Sequence, residues 1–142
     1  MASKLSKRQF RIEVFKGVFL MEFYEDAELI EQLDIRYDEE GNTSDTELSD
    51  ELAEEINDKC KQIIEHVESL DKIISDNLDK WKINRIGKVE LTIMRVAVYE
   101  YKYDVLEAPI VINEAVDIAK IYSGDKAGAF VNGVLAKIVN KD

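Results

Sequence analysis

The sequence predicts an all-α fold, a single compact helical domain of about seven helices, and three observations carry the prediction. Apolar residues recur every three or four positions along most of the chain, Ser6 and Gln9 form a helix-start signature, and no convincing period-two strand or internal repeat occurs. The composition agrees: 142 residues, 46% hydrophobic, 35% charged and one proline suit a helix-rich globular domain. A chain of this size can bury about 68–70% of the surface it exposes when unfolded.

Ser6-x-x-Gln9 has the form of a capping box, so helix 1 is expected to begin near Lys7. Phe10, Val14, Val18 and Met21 make its core stripe, and Ile12, Phe15, Phe19 and Phe23 make a second stripe round the side. A short helix is expected around Asp26 to Leu33, then a solvated loop from Tyr37 to Asp45, rich in Gly, Asn, Ser and Asp. Leu48, Leu52, Ile56, Cys60, Ile63 and Val67 define a long amphipathic helix ending near His66 to Ser69, with Cys60 toward the core. Ser69 and Asp71 open a further helix to about Trp81, where the indole is expected to fill an interhelical gap. From Val89 to Tyr101 the chain is apolar on almost every side, as a central helix must be. Pro109 fits the first turn of the next helix, Ser123 and Gly124 break it, and Phe130 to Ile138 form the last.

Charge is segregated. The net is −11, yet residues 1–21 carry five bases against Glu13, a local net of +4. Residues 22–58 carry sixteen acids against Arg36, and the remainder balances at thirteen of each sign. A polarised surface with one basic end follows. No apolar run reaches the roughly 18 residues a membrane-spanning helix needs, no secretory signal is visible, and the expected compartment is the cytoplasm. Cys60 and His66 are the only residues of their kinds, which excludes an intramolecular disulfide and any Cys/His zinc or paired Glu-x-x-His site within one chain. No metal or cofactor is expected.

Four elements in the second half stand in one order: Trp81-x-x-x-Arg85, Leu91-Thr-Ile-Met-Arg95-Val-Ala-Val-Tyr99-Glu100, Ile112-Asn-Glu-Ala-Val-Asp-Ile-Ala-Lys120, and Phe130-Val-Asn-Gly-Val-Leu135. That set, with the basic start of helix 1, resembles the NusB family of transcription antitermination factors over the whole length. The resemblance implies two antiparallel-packed helical subdomains, binding of single-stranded boxA RNA in ribosomal RNA leader transcripts, and pairing with NusE, a ribosomal protein that doubles as a Nus factor. It also implies work beside other Nus factors and RNA polymerase, a role in ribosomal RNA maturation, and no catalysis. Carried over by position, Lys7, Arg8, Arg11 and Lys16 would meet RNA, joined by Arg95 and Phe130, while Phe19 and Glu90 match the NusE contact. Phe10 stands where the family usually has a small residue, and Gln9 replaces a frequent basic one. Lys126, Ala127, Gly128 and Ala129 replace an Asp-Ser pair and a lysine, so Lys126 is the candidate for the phosphate contact missing at 129.

Read without the family, Lys7, Arg8 and Arg11 share an arc of roughly 100° on helix 1. They are either a solvated basic face or a phosphate-binding one. Phe15 and Phe19 lie on the same side further along, and either pack internally or offer a partner an apolar patch. Arg95 needs a partner in its apolar helix, a carboxylate such as Glu114, unless it reaches the surface. Phe130 is a base-stacking platform or a core residue. Asn113 and Glu114 are expected to bond backbone near the first turn of their helix. A NusB-like domain also occurs ahead of RNA cytosine methyltransferases, but a cofactor domain with its glycine-rich loop finds no room in this sequence. The stronger rival is a protein-only adaptor with little RNA affinity, and homodimers that hide the RNA surface occur in the family.

Overall fold

In the computed structural model, which describes residues 5–37, 48–79 and 82–141, Ser6 opens α1 (Lys7–Phe19) with the expected capping box. Ser6 Oγ accepts from the Gln9 N–H at 3.1 Å, and Gln9 Oε1 accepts from the Ser6 N–H at 2.9 Å. Such a cap is worth about 1 kcal/mol, because it satisfies backbone donors that no helical carbonyl can reach. A single 3₁₀ turn, Leu20–Glu22, ends α1, and six further helices follow among the described residues: α2 (Asp26–Ile35), α3 (Asp50–Glu65), α4 (Val67–Asp76), α5 (Lys88–Lys102), α6 (Ala108–Ser123) and α7 (Asp125–Asn140). The class is all-α with seven α-helices and no strand among the described residues, as the periodicity predicts. Most of the Tyr37 to Asp45 loop and the position of Trp81 lie outside the described residues.

The chain divides into two compact units, Met1–Ile64 and Glu65–Asp142. In the first, Val14 and Val18 of α1, Leu29 and Leu33 of α2, and Ile56, Cys60 and Ile63 of α3 are all at most 5% exposed. Each aliphatic side chain buried this way contributes roughly 1.5–3 kcal/mol. Phe10 and Met21, the ends of the expected core stripe, are only half-buried.

In the second unit α5 is the buried centre, with every residue from Leu91 to Tyr99 covered. Its neighbours are α4, α6 and α7. Pro109 stands in the first turn of α6, where its missing N–H has no helical partner to lose, and Gly124 at φ 92° turns the chain directly into α7. The break between α3 and α4 is shorter in sequence than expected. His66 alone interrupts the helical run, so α4 begins at Val67 rather than near Ser69. It also stops at Asp76, short of the expected end near Trp81, because Asn77 turns its side chain back to the Ile73 carbonyl at 2.8 Å. Lys137 of α7 pairs with Asp79 just beyond α4.

Candidate nucleic-acid interface

Lys7 and Arg8 fill the first turn of α1, which contains no acidic residue, and Arg11 follows one turn on. Cations there oppose the helix macrodipole, whose positive end each destabilises by about 0.3–1 kcal/mol. A local rule broken in this way points to function, since the same positive end with its cations attracts an anion such as phosphate. Lys7 is exposed, and Arg8 and Arg11 are half-buried.

Lys16 parts from this group. At 100° per residue it lies about 140° round the helix from Arg11. Its ammonium sits 3.4 Å from Glu13, a carboxylate only 5% exposed. The other Glu13 oxygen accepts from the Tyr37 hydroxyl at 2.5 Å, so Glu13 joins α1 to the end of α2. Burial, with the adjoining Glu13 charge, raises the Tyr37 hydroxyl above its ordinary range despite the opposing pull of Arg36. Arg36 is itself buried, stacked 4.5 Å from the Tyr37 ring centroid, and its guanidinium finds no hydrogen-bond acceptor among the described residues. Lys16 therefore reaches from the surface to a buried carboxylate, and its own ammonium stays exposed.

The partner strip is also redrawn. Phe15 is 5% exposed and therefore buried, which corrects its assignment to a partner surface. Phe19 is half-buried, and Phe23 is 67% exposed. The three rings form a ladder from core to solvent, with centroids 6.0 Å and then 5.4 Å apart. α1 ends at Phe19 and the chain passes through the 3₁₀ turn before Phe23, so the ladder leaves the helix as it reaches the surface. Phe23, placed in the second stripe by the sequence, is the apolar side chain most open to a partner here.

In the second unit Arg95 is 6% exposed, and its fork closes on Asp71, with Nε to Oδ1 at 2.7 Å and Nη2 to Oδ2 at 2.8 Å. The guanidinium has a carboxylate partner in Asp71 of α4, which the sequence did not single out for it, and it ties α4 to α5 instead of standing open to phosphates. Lys126 is exposed and Phe130 half-buried, four residues apart on one face of α7. Glu90 is half-buried, its carboxylate folded back over Gly87 so closely that a Cβ there would lie 2.0 Å from Oε2. It thus sits at the positive end of α5, as a first-turn carboxylate should.

Cys60 has no accessible surface and donates to the Val14 carbonyl at 3.4 Å. Burial pushes its thiol up to about 12, against the opposing pull of Arg36. Only the thiolate reacts, and burial here keeps both the thiolate and the reagent away. Less than one-tenth of the native protein is expected to be alkylated by iodoacetamide at pH 8 in an hour, against complete reaction in urea, on the order expected for an inert buried thiol.

The NusB family model, described as NusB family, matches residues 8–140. The chain belongs to the NusB family. Among its relatives, the transcription antitermination protein NusB of Agathobacter rectalis is 45% identical over 134 residues, 94% of this chain and 98% of the relative. The solved structure of T. maritima NusB aligns with a TM-score of 0.81 at 31% identity, covering 98% of this chain and 94% of that one. A complex described as antitermination factors NusB and NusE with dsRNA contains a chain that aligns with a TM-score of 0.74 at 28% identity, covering 96% and 97%. Among the described residues, no helix of this NusB-family protein is long and apolar enough to cross a membrane, and no cluster of three or more His, Cys, Asp or Glu side chains is arranged to hold a metal.

Proposed function

We propose that the protein is a non-catalytic transcription antitermination factor of the cytoplasm that binds boxA-type single-stranded RNA of ribosomal RNA leader transcripts together with NusE. The observation that carries this reading is the group Lys7, Arg8 and Arg11 at the positive end of α1, on a chain whose net charge of −11 would otherwise repel a polyanion. Lys126 and Phe130 add a cation and an aromatic ring on one face of α7, the pairing that suits splayed, stackable bases. Arg95 enters as the residue that holds α4 to α5, and Lys16 as a cation shared with Glu13. For NusE, the half-buried Phe19, the exposed Phe23 and the carboxylate of Glu90 are the proposed contacts. The acids that follow Phe23, Glu25, Asp26 and Glu28, suit a basic ribosomal protein. Other Nus factors and RNA polymerase would complete the assembly.

A second reading, the protein-only adaptor, is favoured by the burial of Arg95 against Asp71, which removes one of the expected RNA-facing cations. Fluorescence anisotropy with a labelled boxA oligonucleotide separates the two. Four contacts through Lys7, Arg8, Arg11 and Lys126 give a log–log salt slope near roughly −3, from about 0.7 per phosphate on a single strand. Arg8→Gln/Arg11→Gln should flatten it to roughly −1.4 with the fold intact by circular dichroism. An unchanged slope and affinity would remove the RNA reading, and NusE binding without any gain in RNA affinity would establish the adaptor.

A further inference from the structure

Gly87 is the N-cap of α5, yet its backbone does not ask for glycine: φ −57° and ψ 140° are open to any residue. Ser, Thr, Asp or Asn would also supply the side-chain cap that α5 lacks. What glycine alone provides at this position is room. A built Cβ would overlap Glu90 Oε2 and lie 3.1 Å from Glu90 Cδ, so the carboxylate occupies the space in which every other residue carries its Cβ. The three atoms nearest to that Cβ all belong to the end of the Glu90 side chain. A larger residue at 87 therefore moves the carboxylate and leaves the backbone where it is.

Glu90 is the third residue of α5, where the unpaired N–H groups of the first turn favour a negative charge. The positive helix end draws the carboxylate back, and the missing Cβ lets it in. We propose that Gly87 is a positioning residue for the partner contact: it holds the Glu90 carboxylate in one pose, so that a basic side chain of the partner meets a charge already in place. The proposal rests on the reading of Glu90 as a NusE contact. Immobilising a free, rotamer-rich side chain costs a complex about two- to tenfold in affinity, and a glutamate fixed beforehand escapes that loss.

The test is a double-variant cycle on the full chain, titrated calorimetrically with NusE. Glu90→Ala should weaken binding about tenfold or more, since a charge-assisted contact is lost. Gly87→Ala should weaken it about two- to tenfold, and Gly87→Ala/Glu90→Ala should be no weaker than Glu90→Ala, because no carboxylate remains to be positioned. Gly87→Ser restores a side-chain cap while still carrying a Cβ. It should bind as weakly as Gly87→Ala with a urea midpoint no lower than the parent's. In the free protein, the NMR side-chain couplings of Glu90 should report one rotamer in the parent and altered values in both Gly87 variants. A loss that persists in full when residue 90 is already alanine, or that serine abolishes, traces to the helix start and overturns the proposal. Full binding by Gly87→Ala where Glu90→Ala binds weakly overturns it as well, as does full binding by Glu90→Ala, which withdraws that carboxylate from the partner surface. A parent that does not bind NusE removes the proposed partner instead, and the couplings then still decide whether Gly87 fixes the Glu90 side chain.

Discussion

Gly17→Ala is expected to destabilise the protein by about 3 kcal/mol, the upper range for overpacking a close-packed core, seen as a lower urea midpoint with an unchanged slope. A Cβ at position 17 would lie 2.4 Å from Cys60 Sγ and 2.9 Å from Arg36 Nη1. Arg36 is long and could swing a nitrogen away, but the thiol is attached one bond from the α3 backbone and has no accessible surface into which to turn. The clash with sulfur therefore decides the cost. Removing the sulfur should relieve it: Gly17→Ala/Cys60→Ala is expected to be less destabilised than the sum of the two single changes by at least about 1 kcal/mol. Gly133→Ala supplies the control. That glycine lies within α7, is exposed and meets nothing within 4 Å of a built Cβ, so the change should stabilise by about 0.5–1 kcal/mol. Equal losses at positions 17 and 133 would show that backbone conformation, and not close approach of α1 to α3, accounts for Gly17.

The same contrast separates what was legible in the sequence from what was not. The capping box at Ser6 and Gln9, the break at Gly124 and the all-round apolar character of α5 are local, and each stands where the sequence places it. The basic cluster on α1 was legible as well, because three cations within five residues need only a helical period to share a face. Which stripe of a helix is covered, however, depends on neighbours that a periodicity does not name. Phe15 and Phe19 belong to one stripe, yet the first is buried while the ladder carries the next rings outward to Phe23. Lys16 followed the cluster in sequence but not in angle, and the one acid among those bases, Glu13, was the signal that its charge is partly spoken for. Asp71 gave no such signal: it lies 24 residues from Arg95 and reads locally as a helix-start residue.

Asp71→Ala should destabilise the second unit by about 3–5 kcal/mol, because Arg95 would keep its buried charge and lose both bonds of its fork. The guanidinium side chain is 8% exposed and both of its bonds to Asp71 are short, whereas the Asp71 carboxylate itself is 29% exposed. The more deeply buried cation therefore bears most of the loss, which should exceed that of Arg95→Met, a change that removes the charge and leaves an apolar stem of similar length. Asp71→Leu/Arg95→Met should recover most of the stability, since replacing a buried pair by apolar side chains is often neutral or better. Arg95→Lys is not expected to rescue, because a single ammonium cannot reproduce the two-point fork. Urea midpoints of the four variants measure this ordering. The double variant also separates holding from direct contact: with α4 and α5 still packed, it should bind boxA RNA within about twofold of the parent, whereas loss of one charge-assisted phosphate bond would weaken binding about tenfold or more.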